Sequence, residues 1–137
     1  MPNMFKSQCY CTNLRRSANA ITDYYDLVLK ESGLTVAQYY LLINLSRIEK
    51  ANITQWADNV CLDRSTMVRN VKILQTHGLI EEIAGHGKTF TLSPKGRRSL
   101  EAAIPMWNAA QEKIKNVLGK EDTGAILRIG EKIQALR

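Results

Sequence analysis

The sequence predicts a mainly α fold with one small β-hairpin set between helices. Three observations predict it. Apolar residues recur at three-four spacing near both ends of the chain, two short segments with helix caps lie in the middle, and a glycine-bounded, strand-like stretch follows them. A length of 137 residues suits one domain with its own core, and residues 1–137 contain no linker, internal repeat or low-complexity block that would divide them. Hydrophobic residues make up 45% and charged residues 23%, an ordinary globular balance with no sign of disorder.

Taken in order, Leu14, Ala18, Ile21, Tyr25 and Val28 step by four, three, four and three, the spacing of a helix that packs on other helices, and Gly33 ends it. Thr35 followed by Gln38 reads as a capping box. The segment "VAQYYLLINL" behind it is apolar nearly all round, which predicts a core helix buried on several sides. After a polar break at Glu49–Asn52, the residues Ile53, Trp56, Ala57 and Val60 share one face of a short helix, capped by either Asn52 or Thr54. Asp63 is the N-cap of the next helix, and Gly78 stands where a C′ glycine stops it. "LIEEIAG" and "KTFTLS" flank the tip Gly85-His86-Gly87 and read as a hairpin. Ser93 and Pro94 then supply an N-cap and an N1 proline for a long helix carrying Leu100, Ala103, Trp107, Ala110, Ile114 and Val117. Pro105 is expected to bend this helix and Gly119 to break it before a last stripe of Ile126, Ile129, Ile133 and Leu136.

Two short helices, a turn and a hairpin in this order make a winged helix-turn-helix over about 35–93, flanked by terminal helices over about 7–32 and 94–137. Its second helix, "RSTMVRNVKILQTHG", holds three basic residues and no acid. A rotation of about 100° per residue puts Met67, Val71 and Leu74 on one side, and Ser65, Arg69, Lys72 and Thr76 on the other with Thr66 on a flank. Arg64, Ser65, Thr66, Arg69, Asn70, Lys72 and Thr76 are therefore candidate DNA contacts, since Arg can bond guanine O6 and N7 while hydroxyls serve either a base or a phosphate. His86 and Lys88 at the hairpin tip are candidates for phosphate. Lys95, Arg97 and Arg98 are either phosphate contacts or a solvated first turn. The net charge of +6 and pI near 9.4 suit a polyanionic partner such as double-stranded DNA. The alternative is a protein-interaction adaptor of the same fold without specific DNA binding.

Other classes lack their signatures. No run of about 18 apolar residues is present and the start has no apolar h-region, so a cytoplasmic protein without a membrane partner is expected. Two histidines, no Gly-rich phosphate loop and no paired-carboxylate or H-E-x-x-H pattern argue against an enzyme, and no cofactor or metal site is expected. Cys9, Cys11 and Cys61 match no zinc or disulfide framework.

With these elements in order, "LTVAQYYLL", "ITQWADNVCLDRSTMVRNVKILQTHGLI" and "LSPKGRRSLEAAIPMWNAAQ" resemble the core helix, helix-turn-helix and post-wing helix of the MarR family of bacterial transcription regulators. The resemblance runs over nearly the whole chain. It implies a homodimer built from the terminal dimerisation helices, a near-palindromic operator, and release by a small aromatic ligand held between the dimer helices and the DNA-binding lobe. Striped helices at both ends need such a cover on physical grounds as well. Tyr25, Tyr39 and Trp56 are candidate ligand-pocket residues, although aromatics in helical stripes also serve as core. Two departures stand out: the wing lacks the family's Asp-x-Arg pattern, leaving Lys88 as a substitute, and Cys61 occupies a turn position often held by glycine, where it is expected to be a small buried hydrophobe.

The N-terminal "CYCTNLRRSANAIT" is similar to the first helix of the family's organic-hydroperoxide-sensing branch, with Cys11 preceding Leu14 and Thr22 at that branch's offsets and Tyr25 at one of its tyrosine positions. Arg15 and Val36 fill its other two tyrosine positions. Cys11, with Cys9 nearby, is thus a candidate redox residue, and two thiols packed at a dimer interface are the other reading.

Overall fold

The computed structural model describes residues 7–137. Helix α1 (Tyr10–Leu29) runs into a 3-10 turn at Lys30–Ser32 and stops at Gly33, whose φ of 81° is left-handed. Helix α2 (Val36–Ile48) starts at a reciprocal capping box: the Gln38 N–H donates to Thr35 Oγ1 at 3.1 Å and the Thr35 N–H to Gln38 Oε1 at 3.0 Å. Asp26 on α1 accepts the Val36 N–H at 2.8 Å and ties the two helices together. As expected for a core helix, α2 buries Tyr39, Leu41, Leu42 and Leu45.

Helix α3 (Ile53–Val60) takes Asn52 as its cap, since Asn52 and Gln55 exchange hydrogen bonds of 2.8 and 3.0 Å. That settles the choice between Asn52 and Thr54. Helix α4 (Arg64–Thr76) begins at Asp63 and ends in a Schellman motif, with the Gly78 N–H on Gln75 O and the Leu79 N–H on Leu74 O, both at 2.9 Å. Gly78 has the positive φ of 70° that the motif needs.

The hairpin consists of β2 (Ile80–Glu82) and β3 (Thr89–Leu92). A third strand, β1 (Ala51–Asn52), pairs with β3 on its other side, so the sheet order is β1-β3-β2, with Ala51 opposite Phe90 and Ile80 opposite Leu92. Sequence periodicity had suggested only a polar break at β1. A two-residue strand owes its existence to the partner that lines up beside it, so no local pattern announces it.

Helix α5 (Pro94–Gln134) starts with Ser93 as cap and Pro94 in its first turn. Helical dihedrals continue through Pro105, and the kink falls at Gly119, whose φ of 84° and ψ of 165° interrupt the helix as expected. The core gathers around α2, where Trp56, Leu42, Leu45, Met67 and Leu74 are almost wholly excluded from solvent. Burying each such side chain contributes about 1.5–3 kcal/mol, whereas an exposed ion pair such as Lys115–Glu112 contributes about 0–1 kcal/mol. Apolar packing therefore holds the fold. The terminal helices differ from the rest: α1 fully buries only Leu29, and α5 buries no residue beyond Ala110.

Candidate nucleic-acid interface

Helix α4 is fixed from one side and open on the other. Met67, Val71 and Leu74 lie in the core, whereas Ser65, Arg69, Lys72 and Thr76 are exposed and Thr66 and Asn70 half-buried. The division follows the 3.6-residue period of the sequence. Exposed apolar side chains Val68 and Ile73 also stand on the open side, a feature that attention to charge alone overlooks.

Hydrogen bonds arrange the first turn of this open face. The Asp63 carboxylate accepts the Thr66 N–H at 2.8 Å, the Ser65 hydroxyl at 2.7 Å and the Thr66 hydroxyl at 2.9 Å. These bonds, the Thr66 N–H foremost, lower the Asp63 carboxyl to about 2, so it stays ionised at the positive end of the helix dipole. With their protons committed to Asp63, the two hydroxyls are left to act as acceptors. Arg69 donates to Thr66 Oγ1 at 3.3 Å, and Asn70 Nδ2 to the Thr66 carbonyl at 3.0 Å. Arg64 turns back to Thr54 on α3, donating to its hydroxyl at 2.7 Å, and so braces the two helices against each other. Near the other end the Thr76 hydroxyl donates to Lys72 O, and the Lys72 side chain is exposed.

Between the two helices, Cys61 is the left-handed cap of α3, with φ 57° and ψ 41°, and it is exposed. The expectation of a small buried hydrophobe is corrected. The turn needs the positive φ that glycine supplies most readily, and its surface position leaves the Cys61 side chain in solvent. At the hairpin tip, His86 between Gly85 and Gly87 and Lys88 just after them are both exposed, and the His86 carbonyl accepts the Thr89 hydroxyl at 2.7 Å. Of the basic residues that follow, Arg97 and Arg98 border a cleft with Glu81, whereas Lys95 Nζ donates to the His77 carbonyl at 2.7 Å.

A cleft of about 690 Å³ separates this lobe from the long helices, lined by Tyr25, Tyr39, Tyr40, Arg47, Ile104 and Trp107 among others. Its volume lies within the range of small-molecule sites. Tyr39 and Trp107 stack with centroids 5.7 Å apart, and the Tyr25 hydroxyl donates to Gln111 Oε1. Burial raises the Tyr39 phenol above its ordinary value, partly offset by the Arg47 cation. Of the three expected pocket residues, Tyr25 and Tyr39 line this cleft and Trp56 does not. The Trp56 ring is wholly buried and its N–H donates to the Leu41 carbonyl at 3.2 Å, so it is a core residue.

Cys9 and Cys11 sit exposed at the start of α1, Cys9 as its N-cap. The Thr12 hydroxyl, followed by the Thr12 backbone, lowers the Cys9 thiol below its ordinary value. Arg15 lies 3.9 Å from Cys11 Sγ. Among the described residues no cluster of His, Cys, Asp or Glu could hold a metal ion, and no helix is long and apolar enough to cross a membrane.

Neither the protein-family models nor the curated proteins give a match to this chain. Solved structures do. The transcriptional regulator MosR of M. tuberculosis is 29% identical over 94% of this chain and 98% of its own, with a TM-score of 0.78. MosR in complex with DNA gives 28% identity, 93% and 99% coverage and a TM-score of 0.77. Sco5413, a MarR family transcriptional regulator from Streptomyces coelicolor, superimposes with a TM-score of 0.76 at 22% identity, over 92% of this chain and 91% of that one. The chain has the MarR-family winged-helix fold. Another protein with this fold, the transcriptional repressor CouR bound to p-coumaroyl-CoA, has a TM-score of 0.82 at 21% identity, covering 93% of this chain and 92% of its own. The order α3, α4, β2 and β3 is that of a helix-turn-helix followed by a hairpin wing.

Proposed function

We propose that this chain is a sequence-specific DNA-binding transcription regulator, acting as a homodimeric repressor on a near-palindromic operator. The observation that carries the proposal is the open face of α4, where Ser65, Arg69, Lys72 and Thr76 stand exposed while Met67, Val71 and Leu74 anchor the helix. Likeness to a regulator solved with DNA supports it. A major groove admits one such helix. In this reading Arg69 bonds a guanine edge and the acceptor-only hydroxyls of Ser65 and Thr66 meet the amino groups of adenine or cytosine. Val68 supplies an apolar contact for a thymine methyl, while Asn70 and Arg64 hold the helix in place from within and behind. Lys72 and Thr76 lie nearer the phosphates, and His86 and Lys88 of the wing meet the backbone beside the minor groove.

The dimer is supported by the surface that a single chain leaves bare. Tyr10, Leu14, Ile129, Ile133 and Leu136 are exposed together along a groove between the two ends of the chain. An apolar patch of this kind marks an interface, and a twofold mate would cover both ends at once. The trigger is proposed to be a small aromatic ligand in the Tyr39–Trp107 cleft, where the stacked rings give an apolar wall and Arg47 a cation. Oxidation of Cys11 or Cys9 is the second reading, favoured by two exposed thiols, one of them acidified.

Arg69 provides the direct test. Titrating wild type and Arg69→Ala protein with a selected duplex at fixed salt is expected to show a loss of about 1–3 kcal/mol in the variant, with relaxed preference at one base pair. Equal affinities would remove Arg69 from base readout.

A further inference from the structure

We propose that Lys95 positions helix α4 rather than touching DNA, and that Ser93, Lys95 and Gly96 lock the C-terminal end of α4 to the start of α5. The inference rests on the reading of α4 as the helix that enters the major groove.

Three successive carbonyls leave the end of α4, and each is taken by the beginning of α5. Lys95 Nζ donates to His77 O at 2.7 Å, the Ser93 hydroxyl to Gly78 O at 2.6 Å, and the Ser93 N–H to Leu79 O at 3.1 Å. Ser93 is buried, and its oxygen also accepts the Gly96 N–H at 2.9 Å, so one hydroxyl both caps α5 and holds the turn after α4. Gly96 makes the close approach possible, because a Cβ there would stand 1.9 Å from Leu79 O. No side chain larger than hydrogen fits between the two backbones. The ammonium of Lys95 meanwhile sits at the negative end of the α4 dipole, where a cation is favoured and the last carbonyls lack helical partners.

This arrangement assigns Lys95, exposed like its neighbours Arg97 and Arg98, a partner within the protein. The two helices then behave as one body at this joint. A tilt of the first half of α5, which also lines the Tyr39–Trp107 cleft through Ile104 and Trp107, is passed to α4 without slack.

Lys95→Met keeps most of the stem and removes the donor, and two readouts on the full chain separate the alternatives. In the free protein, amide exchange at Gly78 and Leu79 is expected to speed up by about fivefold, the weight of one hydrogen bond. On a selected duplex, affinity is expected to fall by about the same factor, while the slope of log K against log salt and the affinity for unrelated duplex stay unchanged. A phosphate contact would instead leave exchange as it was and make the slope shallower by about 0.9. That result overturns the proposal, as would a variant indistinguishable from wild type in exchange. If the wild type selects no duplex, the DNA-binding reading fails, and the exchange measurement still decides whether the lock exists.

Discussion

Asp63 shows how much one side chain can organise. Its carboxylate caps α4, orients two hydroxyls and stays charged because those same bonds stabilise the anion. Such caps were legible in the sequence, as were Thr35 with Gln38 and the glycine at 78, because they depend on fixed local offsets. Trp56 was legible as a core candidate from its place on the apolar face of α3, whereas the exposure of Cys61 and the bond of Lys95 were not, since they are set by the α3–α4 turn and His77, which only the folded chain brings to them. At this scale the thiol reading has its own test. If oxidation of Cys11 triggers release, operator complexes of wild type should dissociate on peroxide treatment and those of Cys11→Ser should persist. Equal release of both would discard Cys11 as the sensor.

Among the elements, α4 carries two tasks on opposite faces, and substitutions should separate them. Leu74→Ala empties a buried site and is expected to cost about 2–5 kcal/mol in urea unfolding compared at equal protein concentration. Lys72→Ala, two positions away and exposed, is expected to leave stability within about 0.5 kcal/mol while weakening DNA binding and making its salt dependence shallower by about 0.9 in slope. Similar stabilities for the two variants would contradict the assignment of faces. The period of apolar residues in the sequence already carries this division. Strand β1 shows the limit of that kind of reading: Ala51 and Asn52 carry no strand signal, and they become a strand because Phe90 and Thr89 lie alongside. Helix α5 was legible at its break, since Gly119 interrupts it with a positive φ where the sequence placed the interruption.

For the whole molecule, one arrangement joins the bare apolar ends, the basic charge and the exposed face of α4. A twofold mate over the terminal helices would cover the apolar surface, and the proposed operator binding requires that it set two copies of α4 on one side of the assembly. Two such helices in successive major grooves must lie about 34 Å apart. The most direct measurement is selection from a pool of random duplexes by the 137-residue chain, followed by sequencing. The account predicts enrichment of a near-palindrome whose half-sites are centred about one helical turn, or 10 base pairs, apart. Recovery of no common sequence, with binding that stays at the salt-sensitive level of unrelated DNA, would contradict it and favour a protein-contacting adaptor.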